Sequence, residues 1–296
     1  MATNIQKSAV IVRLEISQWG GEKIDRSVSD EVANNKNASS KAGKYVKSLF
    51  ADNEMLKEIK KVAGKARNLN KELTLPYAKG QDLMPVTMFD FHKEKIGNLK
   101  DIFDGLVEDF LKKYERHRDR QQGRLGEMFN ADDYPSVEAV REKFSMTINY
   151  EPLADNNMFD KMFGSEELEQ QLIENAETQM QSRIDGAMHD LWERLISRVE
   201  LFHHKMVNYK PAVKGESKVV DGFKDSLVEN IRDLCQVLPR LNLTGDADLN
   251  NYCELVKQKL AVLDAGDLRE NEVARKSAAN EAQGILDAMA GYGVAA

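Results

Sequence analysis

Metal or acid–base chemistry in this chain would have to begin at its five histidines, His92, His117, His189, His203 and His204. Glu200-Leu201-Phe202-His203 is one Glu-x-x-His on a helical stretch. A di-iron bundle needs two such motifs and two further glutamates, and the sequence holds no second copy. Phe202 and Met206 mark the core side there, so His203 and His204 are expected to flank a core and not to ligate. Asp246-Ala247-Asp248-Leu249-Asn250 fills the first three ligand positions of a calcium loop. Asn251 stands where that loop needs glycine, and Lys257 where it needs a bidentate glutamate. A helix N-cap accounts for those aspartates. Gly-x4-Gly-Lys-[Ser/Thr] is missing, as is Gly-x-Gly-x-x-Gly after a strand, so neither loop that cradles phosphate is present. Cys235 and Cys253 have no neighbouring histidine in sequence, and no Gly-x-Ser-x-Gly elbow occurs. Both cysteines fall on apolar stripes and read as buried, reduced thiols. Glu166-Glu167 and Asp132-Asp133 lie where helix starts favour negative charge. The expectation is no catalytic residue, no metal, no cofactor, and a protein that is not an enzyme.

Positive charge is the one chemical signal with content. Residues 36–71 hold ten Lys or Arg against three acids. Lys41, Lys44, Lys47, Lys57, Lys60, Lys61, Lys65 and Arg67 form the candidate nucleic-acid-binding set, with Tyr45 and Phe50 available for stacking. A second cluster runs from Lys112 to Arg120 and is expected at a helix C-terminus, where the helix dipole favours cations without any ligand. Residues 1–130 are net basic (24 Lys+Arg, 19 Asp+Glu) and the remainder net acidic (18 and 30), so self-association of opposite surfaces or a local anionic partner is expected.

Any such site must be positioned mainly by helices. Apolar residues recur every three or four positions from Ser165 to about Asn208: Leu168, Leu172, Ala176, Met180, Ile184, Met188, Leu191, Leu195, Val199, Phe202 and Met206. That period predicts one amphipathic helix roughly 60 Å long. Leu172, Met180, Ile184, Met188, Leu191, Leu195, Val199 and Phe202 are its expected packing or oligomer residues. A second helix is predicted from about Thr87 to Leu125, with Phe91, Lys95 or Ile96, Leu99, Phe103, Leu106, Phe110 and Tyr114 in line. The two are expected to pack as a long antiparallel, coiled-coil-like hairpin. Strict alternation at Ala9–Ser17 predicts a strand, and Ser145–Tyr150 a second that pairs with it. Residues 44–73 read as helical, with Asp52 or Asn53 as a cap in mid-stretch. Leu75–Pro85 reads as an extended turn region, and helices follow at about 217–238, after Asp246 or Asp248, and at 267–289.

The fold class is therefore mainly α: a long helical hairpin, a small β element and a C-terminal helical module. The blocks are 1–85, 86–208 with a β-containing insertion at 126–164, and 209–296. Charged residues make up 31% of the chain and hydrophobic residues 42%. No run approaches the ~20 apolar residues of a membrane span, and no basic segment followed by an apolar core opens the chain, so no secretory leader is expected.

Several short blocks resemble a family of uncharacterised helical proteins, a domain of unknown function, of bacteriophages and integrative or conjugative elements. They are Ile16-Ser17-Gln18-Trp19-Gly20-Gly21, Leu75-Pro76-Tyr77 with Gly80 and Pro85, Asp133-Tyr134-Pro135 through Phe144, Glu151-Pro152-Leu153, Leu238-Pro239-Arg240-Leu241-Asn242, and Leu268-Arg269-Glu270 with Arg275. The resemblance implies a mobile-element protein in the host cytoplasm, with an AAA-type ATPase encoded nearby as one partner. It carries over no catalytic residue. The expected function is a self-associating, non-enzymatic assembly or adaptor factor acting through long helical surfaces. The alternative is a sequence-independent nucleic-acid-binding accessory factor using residues 36–71.

Overall fold

The computed structural model describes residues 5, 7–51, 53–153, 166–211 and 222–292. The protein is mainly α-helical with a small β component. It divides into two compact units: unit 1 is Met1–Arg13, Lys71–Phe91 and Tyr150–Ala296, and unit 2 is Leu14–Asn70 and His92–Asn149. The divisions fall inside strand β1 (Ala9–Ser17), helix α2 (Glu54–Leu73), helix α3 (Phe89–Lys112) and strand β6 (Ser145–Pro152).

Strand β1 is the one its alternation predicts, and β6 lies beside it, as the second alternating run requires. The prolines and Gly80 at 75–85 build two further strands, β4 (Leu75–Ala78) and β5 (Gln81–Pro85), where only a turn region was expected. Lys79-Gly80, with Gly80 at φ +72°, closes that hairpin. The sheet order is β4-β5-β1-β6, and β1 pairs antiparallel with β5 in the register Ala9↔Pro85 to Val12↔Asp82.

In unit 1 the long helix α6 (Glu166–Asn208) forms over the range its period predicts. Its stripe is buried from Met180 through Ile184, Met188, Leu191, Leu195, Val199 and Phe202 to Met206. The cover comes from α10 (Glu272–Met289), β4, α7 (Ser226–Leu241) and α8 (Ala247–Lys259). Ala278, Ala282 and Ile285 of α10 belong to this core, and the small alanines allow close helix–helix approach. Leu172 is half-buried. Asp246 caps α8, its Oδ1 accepting from the backbone N–H of Asp248 (2.9 Å) and Leu249 (3.1 Å). Asn271 caps α10 and separates it from the short α9 (Ala265–Glu270), where one helix was expected.

The expected hairpin of 87–125 against 165–208 needs correction, because the two helices serve different cores. Phe103, Val107, Phe110 and Leu111 of α3 pack with Ile59, Val62, Ala63 and Ala66 of α2, with Val140 of the short α5 (Val137–Arg141), and with Tyr134, Phe144 and Met146. Heptad-like spacing establishes that a helix has an apolar stripe; it does not name the surface that covers it. Long-range aromatic contacts choose here. Phe50 meets Trp19, Phe110, Tyr114 and Tyr134 with ring centroids 5.4–5.7 Å apart. The second predicted helix is also broken at Lys113 (φ −104°, ψ 2°), beyond which α4 (Tyr114–Leu125) begins.

Helix α2 starts at Glu54 and not near Lys44, with Asn53 Oδ1 accepting from the N–H groups of Met55 and Leu56. Upstream, Glu22–Asp25 and Tyr45–Ser48 form β2 and β3, an antiparallel ribbon with Ile24 opposite Val46 and Lys23 opposite Lys47. Between them runs α1 (Arg26–Asn35). Gly21 leads into the ribbon at φ +64°, which favours glycine, and a Cβ there would press on Leu56 Cδ1 at 3.2 Å.

Candidate functional site

The most concentrated polar arrangement in unit 2 is built on the β2-α1-β3 arm. Period two along β2 and β3 puts Lys23 and Lys47 on one face of the ribbon and Ile24 and Val46 on the other. On the inner face the Lys47 ammonium is buried. It lies 3.0 Å from Asp25 Oδ2 and 2.5 Å from Asp133 Oδ2, and donates to the Met128 carbonyl at 2.9 Å. Lys23 Nζ reaches Asp133 Oδ1 at 2.6 Å. Asp25 also caps α1, accepting from Val28 N–H and from Ser27 Oγ.

Electrostatics follow from these contacts. The Ser27 hydroxyl, Lys47 and the Val28 N–H hold the Asp25 carboxyl down at about 2. Burial alone would raise Asp133, but bonds from Lys23 and Lys47 keep it below the usual carboxylate range. Burial would lower Lys47, yet its two carboxylates outweigh that and hold it above the ordinary lysine value. A charged ammonium with all three N–H groups engaged is neither a nucleophile nor a general base. It is a tie, joining the ribbon and the α1 cap to the 128–133 segment.

Above this tie, α1, residues 40–47 and residues 127–133 enclose a polar cleft of about 1420 Å³. Its rim carries Glu31, Lys44 and Glu127. On the outer face of the ribbon Ile24 and Val46 stand together between Glu22 and Ser48, while Tyr45 lies on the inner face. Between residues 22 and 46 no side chain is buried, and Ile24, Val32, Tyr45 and Val46 are 40–52% exposed. An ordered segment without a buried apolar side chain lacks the usual compensation for its conformational entropy. Hydrogen bonds and ions hold it instead: Tyr45 N–H donates to Ser29 Oγ at 2.9 Å, and Ser29 donates to the Asp25 carbonyl at 2.5 Å.

The residues of the expected nucleic-acid set are not all available at the surface. Lys47 is internal, which removes it from the set, because a buried, doubly paired ammonium has no free donor for phosphate. Arg67 donates to the Ile16 carbonyl at 3.1 Å. Lys57 and Lys61 pair with Glu54 and Glu58 one turn earlier on α2. Lys41, Lys44, Lys60 and Lys65 are exposed. Of the aromatic residues offered for stacking, Phe50 is buried and Tyr45 is exposed. The second basic cluster straddles a helix end, with Lys112 in the last turn of α3 as expected and the rest beyond it. Arg116, Arg118 and Arg120 sit in the first turns of α4, past the break at Lys113.

The histidines and thiols are placed by packing. His203 is half-buried and His204 exposed, flanking the buried Phe202 and Met206 as their spacing predicts. His92 is fully buried, its Nε2 2.9 Å from Asn70 Oδ1, and burial lowers it to about 4, so it is neutral. Cys235 and Cys253 are buried free thiols, pushed by burial up to about 11 and about 12. Such thiols are unreactive at neutral pH. Among the described residues no group of three or more His, Cys, Asp or Glu could hold a metal ion. No described helix is long and apolar enough to cross a membrane.

The Asp25–Lys47–Asp133 tie and the exposed face of the arm were missed by sequence reasoning. Asp133 is remote from both partners along the chain, so no spacing connects them. Neither Glu22-Lys23-Ile24-Asp25 nor Tyr45-Val46-Lys47-Ser48 alternates apolar with polar residues, so the ribbon left no period-two signal. Comparison of the chain with protein-family models, curated proteins and solved structures finds no match.

Proposed function

We propose that this protein is a non-enzymatic, self-associating assembly factor, and that the β2-α1-β3 arm is its contact surface with a second copy. The observation that carries the proposal is the arm itself: residues 22–46 bury no side chain, while Ile24 and Val46 stand directly opposite each other on an exposed face. Among the described residues each strand of the two-stranded ribbon also has one edge without a partner strand, which is a template for pairing. Asp30 and Glu31 lie on α1, with Lys36, Lys41 and Lys44 in the following loop. A two-fold-related copy can set the acids of one arm against the bases of the other. The α6 stripe, which suggested self-association from sequence, has cover inside the chain from Met180 to Met206 and no longer supports it. In the bacteriophage or mobile-element setting that the sequence resemblance implies, such a factor would organise a complex in the host cytoplasm, with a neighbouring AAA-type ATPase as one partner.

Sedimentation velocity tests the reading. The wild-type protein is expected to show a concentration-dependent dimer by about 50 µM, and Ile24→Lys with Val46→Lys a monomer with an unchanged circular dichroism spectrum. A wild-type monomer throughout that range would overturn it.

A further inference from the structure

Helix α4 presents three sectors. Tyr114, Gln121 and the half-buried His117 and Leu125 face inward. Lys113, at the break, Arg116 and Arg120 recur at three- and four-residue steps on an outward stripe, and Arg124 extends it. Glu115 and Asp119 lie on a third flank, roughly a third of a turn away at 100° per residue, and Asp119 is paired with Arg118 at 2.9 Å. Lys113, Arg116 and Arg120 have no ion-pair or hydrogen-bonding side-chain partner among the described residues.

The helix dipole favours Lys113, which directly follows α3, but does not explain Arg116 and Arg120. It would favour them in a last helical turn, whereas Arg116 and Arg120 follow a fresh helix start. Like charges at these steps destabilise the helix by themselves. Their field is felt inside the unit: after burial, the cations Arg120, Lys113 and Arg116 are what lower the proton affinity of His117, whose Nε2 is buried without a partner. Every exposed residue of α4 is polar or glycine: Glu115, Arg116, Asp119, Arg120, Gln122, Gly123 and Arg124. A protein interface would need apolar anchors there, and a membrane-surface helix an apolar face. Neither exists, nor does an exposed aromatic side chain on which a base could stack.

We infer that the Lys113–Arg116–Arg120 stripe of α4 binds the phosphate backbone of nucleic acid without reading sequence. Seven residues of helix rise about 10.5 Å, and over that axial length one strand of a duplex presents about three phosphates. Guanidinium forks suit phosphate oxygens. Arg124 bonds the Ala51 carbonyl at 2.8 Å, which brings the end of the stripe to the segment just before α2, whose exposed face carries Lys60 and Lys65.

Fluorescence anisotropy with the full-length protein tests this, using a labelled duplex of about 20 base pairs and a single strand of equal length. Three phosphate contacts predict a fall of about 40-fold in duplex affinity between about 50 and about 200 mM salt. The triple variant Lys113→Gln/Arg116→Gln/Arg120→Gln should lose that salt dependence and bind at least about tenfold more weakly at the lower salt. Unchanged Trp19 emission in a Trp192→Phe background would show that the unit is still folded. Tighter binding of one probe assigns the form of nucleic acid. The inference is overturned if neither probe binds at low salt, if the triple variant binds like wild type, or if polyglutamate displaces the duplex at equal charge.

Discussion

The Nζ of Lys47 lies 2.5 Å from Oδ2 of Asp133, although α2, α3 and α4 separate the two in sequence. Asp25 completes the arrangement, so one ammonium ties the arm to the rest of unit 2. Removing it leaves two carboxylates facing each other with little solvent. Lys47→Met is expected to lower unfolding stability by about 3–5 kcal/mol, the usual cost of breaking a buried pair from one side. Lys23, half-exposed beside Asp133, should cost under about 1 kcal/mol when changed to Met. Urea unfolding followed by Trp19 emission in a Trp192→Phe background measures both. Equal effects would show that the tie is not centred on Lys47.

His92 sets an acid limit. Its ordinary value is 6.5 and burial lowers it to about 4 in the folded state. Between those values the unfolded chain binds a proton that the folded chain refuses, so stability is complete above pH 6.5 and falls as pH drops toward 4. The expected loss is on the order of 3 kcal/mol. His117, lowered by burial and by neighbouring cations, adds a slope of the same sign. Asp25, held at about 2, contributes stability that is lost only below its ordinary 3.8, in a separate window. Urea midpoints of wild type and His92→Gln from pH 7.5 to 4.5 should diverge at the upper end and converge toward the lower. Parallel curves would remove His92 as the cause.

The α6 stripe is internal from Met180 onward, and Leu195 has no exposed surface. Leu195→Ala should therefore cost about 2–5 kcal/mol by the cavity it leaves, with no change in association state by sedimentation. A weakened dimer without loss of stability would return the stripe to an intermolecular role.

The arm should open before the remainder of its unit. Amides of α1, which buries no residue, are expected to exchange hydrogen well before those of α2, anchored by Ile59, Val62, Ala63 and Ala66. Exchange followed by mass spectrometry at a dilute, monomeric concentration checks this, and raising the concentration should slow α1 if a second copy covers it. Slow exchange in α1 at every concentration would show that the arm has cover of its own.

Local patterns were legible wherever the physics is local. The apolar period of three to four residues placed α6 from Glu166 to Asn208, and period two placed β1 and β6. Short polar side chains narrowed two caps to Asp52 or Asn53 and to Asp246 or Asp248, because an N-cap bonds only to the next two or three N–H groups, and the structure chooses Asn53 and Asp246. The ribbon β2–β3 escaped because four-residue strands have too little alternation to rise above a polar background. Two adjacent helices were read as one across Lys113, since a kink leaves the apolar period almost intact.

By itself, then, the sequence determined which faces of which elements are apolar and where the charges lie along the chain. Only the tertiary structure decided which surface covers each face. It gave the α6 stripe to α10, β4, α7 and α8, and the α3 stripe to α2 and the 134–146 segment. It also sorted the basic residues, turning Lys47 inward between two aspartates while leaving Lys113, Arg116 and Arg120 in solvent. The reason is that burial is non-directional and a stripe accepts any apolar surface of fitting shape. The choice among such surfaces rests on contacts between residues that are distant in the chain, such as Phe50 with Phe110 and Lys47 with Asp133.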